Sequence, residues 1–160
     1  MEKLKIRELK KEEAGLLKDF LYEAIFIPKG VEPPARSIIE KPELKLYYED
    51  FGKGPADHCL VAETDEKVVG AVWTRIMKDY GHVDDETPSL AISLYKEYRG
   101  CGTGTELMRS MLQLLKEKGY KRASLAVQKA NYALRMYEKL GFGVTDQNDE
   151  EYIMLCELGG

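Results

Sequence analysis

The feature that restricts the fold most is a glycine-rich joint between an apolar run and a long amphipathic segment. Ser89-Leu90-Ala91-Ile92-Ser93-Leu94 reads as a strand, and Arg99-Gly100-Cys101-Gly102-Thr103-Gly104 follows it. Leu107, Met108, Met111, Leu112, Leu114 and Leu115 then form one apolar face of a helix. A strand that enters a helix through a short glycine turn has to return to its sheet, and Ala123-Ser124-Leu125-Ala126-Val127 supplies the returning strand. Gly119 is placed to stop the first helix, and Gly141 to stop a second one read over 130–140. Gly141-Phe142-Gly143-Val144 and the apolar run over 151–158 flank the turn-rich Asp146-Gln147-Asn148-Asp149, which predicts a closing hairpin.

The upstream half reads in the same way. A short strand around Leu4 and Ile6 precedes a helix marked by Leu16, Leu17, Phe20, Leu21, Ala24 and Ile25. Residues 58–63 and 67–77 are two apolar strands around a tight turn at Thr64-Asp65-Glu66. Five of the six prolines fall between Pro28 and Pro55, so only short helices fit there. A polar loop runs from Lys78 to Pro88. This order predicts a mixed α/β fold, α+β-like, with a central mixed sheet of about six or seven strands flanked by about four helices. At 160 residues the chain is expected to be one domain over 1–160.

Composition removes several function classes. A net charge of −4, spread along the chain, lacks the basic surface that nucleic acid requires, so no nucleic-acid partner is expected. The apolar runs are short and the N-terminus has no signal-peptide pattern, which points to a cytoplasmic protein with no membrane partner. Cys59, Cys101 and Cys156 are an odd set without paired spacing, and His58 and His82 are the only imidazoles. Reduced thiols and no metal are expected.

The glycine joint is where chemistry is expected. A helix N-terminus leaves backbone N–H groups unpaired and presents the positive end of the helix dipole, and glycines let an anion come close. A phosphate group fits such a place. No lysine follows the last glycine, which disfavours the loop of nucleotide triphosphatases. Leu107 stands where the third glycine of a dinucleotide fingerprint would fall, and Lys121 and Arg122 lie where its ribose-binding acid would be. A purely structural turn is the remaining alternative.

Arg99-Gly100-Cys101-Gly102-Thr103-Gly104 resembles the Arg/Gln-x-x-Gly-x-Gly/Ala motif of the GNAT superfamily of N-acetyltransferases. One helix and one strand later, the run from Asn131 through Ala133 and Tyr137 to Gly141-Phe142 resembles that family's Asn-x-x-Ala-x-x-x-Tyr-x-x-x-Gly-Phe segment. The resemblance is sharp over 89–144 and looser over 57–158. It implies that acetyl-CoA is the cosubstrate and that an amine, small or on a peptide or lysine, is the acceptor. Backbone amides of Arg99, Gly100, Cys101, Gly102, Thr103 and Gly104 would hold the pyrophosphate. The main chain of Ile92 to Leu94 would bond the pantetheine arm, Asn131 would contact the cofactor, and Tyr137 would be the general acid.

A thioester is already activated, so positioning, an N–H group near Leu94 for the oxyanion and a proton for the leaving thiolate suffice. On spacing alone, Tyr137 belongs to an apolar helix face with Ala133, Met136 and Leu140. The glutamate that some family members carry near the start of the fourth strand is missing, because the chain reads Pro88-Ser89-Leu90 there. His82, Asp84, Asp85 and Glu86 are nearby, and none is assigned as the base; a water chain would serve equally. The absent glutamate also leaves a non-catalytic acyl-CoA sensor as an alternative. Cys101 fits as a small residue tolerated in the loop, or as a thiol made reactive by the helix N-terminus. Trp73 and Arg75, two apart on one strand, read as core and surface ion pair or as borders of the acceptor pocket. The acceptor wall maps to 26–48 and 78–88. Tyr47, Tyr48, Phe51 and Tyr80 near Glu49, Asp50 and the 84–86 acids would suit a cationic amine, although a lysine or peptide amine fits as well. Open strand edges in the hairpins would permit a homodimer.

Overall fold

The computed structural model describes residues 4–25, 27–77 and 82–159. Its strands are β1 (Lys5–Glu8), β2 (His58–Thr64), β3 (Lys67–Arg75), β4 (Ser89–Leu94), β5 (Arg122–Gln128), β6 (Phe142–Gln147) and β7 (Glu151–Glu157). The α-helices among the described residues are α1 (Leu16–Ala24), α2 (Pro42–Lys45), α3 (Thr103–Glu117) and α4 (Leu134–Lys139). The strands form one seven-stranded sheet in the order β1-β2-β3-β4-β5-β7-β6. Every neighbouring pair is antiparallel except β4 and β5, which are parallel and joined through α3. The expected mixed α/β architecture is the observed one.

Alternation along the strands divides the core between the two sheet faces. Leu60, Ala62, Val72 and Leu90 pack with Leu107, Met108, Met111 and Leu115 of α3. Cys59, Val61, Ala71 and Trp73 pack with Leu17, Phe20 and Leu21 of α1. Of the six apolar residues read on α3, Leu107, Met108, Met111 and Leu115 are completely buried, whereas Leu112 and Leu114 are only partly buried at the margin of the face. Trp73 is fully buried and donates its indole N–H to the Tyr47 carbonyl at 3.0 Å, so it serves the core and not the acceptor pocket.

Two boundaries differ from the expectation, both because an asparagine side chain captures backbone N–H groups. The second helix begins at Leu134 instead of 130, since Asn131 Oδ1 accepts the Ala133 N–H at 2.9 Å and holds 131–133 as a turn. The closing turn moves beyond Asp146 and Gln147, which belong to β6. Asn148 Oδ1 accepts the N–H groups of Glu150 and Glu151 at 2.8 and 2.7 Å.

The β2–β3 connection has Asp65 at φ 49° and Glu66 at φ 63°. Positive φ at both central residues of a two-residue loop matches the twist of the flanking strands but is costly for glutamate. Glu66→Gly is expected to raise stability by roughly 0.5–1 kcal/mol, measured by urea denaturation. Gly70 matters for packing: a Cβ there would sit 2.3 Å from Leu94 Cδ2. Gly70→Ala is expected to cost about 1–3 kcal/mol and to displace Leu94; an unchanged urea midpoint would contradict this.

Candidate active site

Hydrogen bonding between β4 and β5 starts and then stops. Ser124 N–H donates to the Pro88 carbonyl at 3.0 Å, and the register between the strands contains the single pair Ser89–Ser124. On the opposite edge of β4, the Tyr95 N–H bonds the Val69 carbonyl of β3 at 3.0 Å. Successive residues of a strand turn their N–H and C=O groups to alternate edges. Leu90, Ile92 and Leu94 therefore turn theirs toward β5, which has diverged after Ser124. The Ile92 N–H and C=O and the Leu94 N–H are left as an open strand edge. The Leu94 carbonyl is already taken, by Arg99 Nε at 3.0 Å.

The mouth of this splay meets the start of α3. Gly102 caps the helix at φ 88° and Gly100 stands at φ 79°, and an added Cβ would meet nothing within 4 Å at either position. Both glycines are thus required by backbone conformation, and the space in front of them is open. The Glu106 N–H donates to the Gly102 carbonyl at 3.1 Å, so the amides of 103–105 precede the first intrahelical bond. Gly104 has a different role. A Cβ there would approach Leu94 Cδ1 at 3.3 Å and Met136 Sδ at 3.7 Å, so its absence lets the first turn of α3 lie against β4 and α4.

Arg99 sits at the edge of this cradle. Its N–H bonds the Lys96 carbonyl at 3.3 Å, and its guanidinium reaches Leu94 O and Glu23, so the loop amides without such a partner begin at Gly100. Cys101 is an exposed free thiol whose Sγ donates to the Tyr98 carbonyl at 3.1 Å. Thr103 is buried, with its hydroxyl 3.5 Å from Cys101 Sγ.

Tyr137 projects from α4 into the core shared with α3, only 7% exposed, and meets Phe142 edge to face at 6.1 Å between ring centroids. Burial pushes its hydroxyl up to about 12, with a smaller contribution from Tyr132. It is therefore a protonated phenol throughout the neutral range, the state an acid needs. Asn131 uses its carbonyl oxygen in the turn that opens α4, which leaves its NH2 group for another partner.

Two acids of the loop, Asp84 and Asp85, have partners. Asp84 pairs with Arg122 at the start of β5 at 2.5 Å and accepts the Glu86 N–H at 2.8 Å. The Thr87 side chain, the Glu86 amide and Arg122 together hold its carboxyl below the usual range, which suits a structural anion better than a base. His82 Nε2 lies 3.1 Å from Asp85. The aromatic wall is similarly engaged. Lys18 lies over Tyr48 at 5.3 Å, and Arg75 lies over Phe51 at 5.4 Å while pairing with Asp57 at 3.0 Å. Arg75 is thus a partly buried structural ion pair. Phe26, Lys78 and Tyr80 lie outside the described residues. On the β4 face turned toward α1, Ser89 and Ser124 place their hydroxyls 3.3 Å apart at the closed end of the splay. Ser93 is buried with no hydrogen-bond partner for its Oγ among the described residues. Among the described residues no group of three or more His, Cys, Asp and Glu is arranged to hold a metal.

The parallel pair is broken after Ser89–Ser124, and the N-terminus of α3 lies at the open end. The profile of the Acetyltransferase (GNAT) family matches residues 23–142. The chain belongs to this acetyltransferase family. This GNAT protein is an acetyl-transferring enzyme. It is 32% identical over 117 residues to a putative [ribosomal protein bS18]-alanine N-acetyltransferase of Bacillus subtilis, covering 68% of this chain and 74% of that one. An uncharacterized N-acetyltransferase of Archaeoglobus fulgidus is 28% identical over 137 residues, 81% of this chain and 88% of the relative. The PaiA N-acetyltransferase of Thermoplasma acidophilum, solved in complex with coenzyme A, superposes with a TM-score of 0.71 at 21% identity, covering 97% of this chain and 99% of that one. Among the described residues no helix is long and apolar enough to cross a membrane.

The buried phenol has a spectroscopic consequence. In the difference between wild-type and Tyr137→Phe, phenolate absorbance is expected to appear only as the pH approaches about 12. Below that the folded state holds a proton that the unfolded state releases from pH 10.0 upward, so this group's contribution to stability falls across that window. Phenolate near 10.0, the unperturbed value, would show the hydroxyl open to water.

Proposed function

We propose that this enzyme acetylates the α-amine at the N-terminus of a peptide or protein, in the cytoplasm, with acetyl-CoA as cosubstrate. The observation that carries the cosubstrate reading is the loss of β4–β5 pairing after Ser89–Ser124, with the α3 N-terminus at the open end. Main-chain groups of Ile92 and Leu94 offer strand-like bonds to the amides of a pantetheine arm. The amides from Gly100 to Thr105 face a pyrophosphate, with Gly100 and Gly102 leaving it room. The coenzyme supplies an activated acyl thioester when bound. In this reading the Leu94 N–H would bond the carbonyl oxygen as it gains charge, Tyr137 would hold the proton for the departing sulfur, and the Asn131 NH2 would orient the arm. The acceptor nitrogen forms the new C–N bond, the C–S bond breaks, the thiolate takes the tyrosine proton, the ammonium proton leaves to water, and water returns a proton to the tyrosinate.

The acceptor class rests on two supports. The Bacillus relative is described as an alanine N-acetyltransferase acting on a ribosomal protein, and a Haemophilus influenzae protein, 37% identical over 68 residues, carries the same description. That second match covers only 47% of its own length. The other support is the chemistry of the site, where hydroxyls of Ser89, Ser93 and Ser124 stand on β4 and β5 and Asp84 is held by Arg122. With no base assigned among the described residues, an acceptor that arrives partly neutral is favoured. An α-amine with a pKa near 7.7–8.0 is roughly one-third neutral close to pH 7.5, whereas a lysine near 10.4 is neutral in about one molecule per thousand.

The test measures coenzyme A release from acetyl-CoA with a peptide bearing a free N-terminal alanine, a lysine peptide with its N-terminus blocked, and polyamines. The free α-amine is expected to be the best acceptor, and Tyr137→Phe to lower kcat about 100-fold with acetyl-CoA affinity retained. Turnover confined to lysine or polyamines would overturn the acceptor assignment. Unchanged kcat in Tyr137→Phe would remove the tyrosine as acid.

A further inference from the structure

Arg99 is the first residue of the glycine loop, yet its side chain turns away from the open space in front of Gly100 and Gly102. Nε donates to the Leu94 carbonyl at 3.0 Å, at the end of β4. Nη2 donates to the Glu23 carbonyl at 3.0 Å and lies 3.4 Å from the Glu23 carboxylate. Glu23 is in the last turn of α1, 76 positions away in sequence. That turn needs a partner. α1 ends without a glycine cap, and the cap bond is a single one from the Ile25 N–H to the Tyr22 carbonyl at 3.2 Å. A guanidinium at a helix C-terminus satisfies a carbonyl and complements the negative end of the dipole. A planar fork holds a strand carbonyl on Nε and a helix terminus on Nη2 in one fixed geometry, whereas a lysine would have to bring both to a single nitrogen.

We infer that Arg99 and Glu23 form a strut that couples the anion loop and the free edge of β4 to the end of α1, making Glu23 a positioning residue for the acceptor. The inference rests on the proposed function, in which the loop holds the pyrophosphate and the chain leaving α1 begins the acceptor wall. An anion on the amides of 100–105 fixes the backbone that carries Arg99. The strut passes that order to the last turn of α1, and the segment leaving it then starts from a fixed point. The strut also withholds the Leu94 carbonyl from any added strand, so the end of the edge nearest α3 offers the N–H groups of Ile92 and Leu94 and the Ile92 carbonyl. This sets the register in which an extended ligand can bond. Both side chains are about one-third exposed, 34% for Arg99 and 35% for Glu23, so the ionic part of the strut is open to screening by salt while its two carbonyl bonds are less so.

The experiment combines coenzyme A binding by calorimetry, hydrogen exchange of the amides of residues 20–25, and KM for the acceptor peptide, in wild-type, Arg99→Lys and Glu23→Gln. In wild-type, coenzyme A is expected to slow exchange in the last turn of α1 by at least about fivefold. Arg99→Lys should bind coenzyme A but lose most of that slowing, with a raised KM for the acceptor and kcat changed less than KM. Glu23→Gln, which keeps the carbonyl bond, should fall between the two, and high salt should move wild-type toward it. Coenzyme A binding with equal slowing in all three proteins, or with none in wild-type, overturns the strut alone. No coenzyme A binding to wild-type overturns the cofactor reading and the strut with it.

Discussion

The interruption of hydrogen bonding between β4 and β5 is the constraint on which the rest of this protein depends. A parallel pair normally continues its ladder along the length of both strands, and ending it after one register pair leaves backbone groups that need other partners. The Leu94 carbonyl finds Arg99, while the Ile92 groups and the Leu94 N–H face the gap. The gap persists because each side is anchored elsewhere. β4 is held along its other edge by β3 from Ser89 to Leu94, and β5 by β7 from Arg122 to Gln128. β5 pairs with β7 at seven positions and with β4 at one.

Leu94 links the gap to the core around it. Its side chain is received by two glycines, one on β3 and one in the first turn of α3, where a Cβ would come to 2.3 Å and 3.3 Å from it. A bulkier residue at Gly70 would push the leucine toward the site, and one at Gly104 would push the helix away from it. The helix N-terminus therefore sits where it does through van der Waals contact as much as through the connection from β4. The polar groups around the gap show a division of labour. The charged side chains at the closed end and in the proline-rich segment neutralise one another, as in Asp84 with Arg122 and Arg75 with Asp57. In the core beside α3, the buried phenol of Tyr137 keeps its proton.

Much of this was legible in the sequence because it depends on local rules. Strand alternation, a helix face over 107–115, the stops at Gly119 and Gly141 and the glycine joint at 100–104 each follow from the geometry of a few neighbouring residues. The roles of Trp73 and Arg75 were ambiguous, because side chains on one strand face look alike until the opposite layer is known. Tyr48 and Phe51 looked suited to a cationic ligand, and the cations that occupy them come from Lys18 and Arg75, which are distant in sequence.

By itself the sequence determined the elements, their order, the return from β4 through α3 to β5, and a glycine-rich helix N-terminus between them. Those properties arise from periodicity, glycine conformation and unpaired helix amides, all encoded within one or two turns of chain. Only the tertiary structure decided that the β4 edge is open beyond Ser89, that Gly70 yields its space to Leu94, and that Arg99 spends its guanidinium on Glu23 and not on the loop. Each of these is a contact across many tens of residues, or a contact that fails to form. No local pattern specifies it, because it is set by the competition among strands and helices for the same backbone groups.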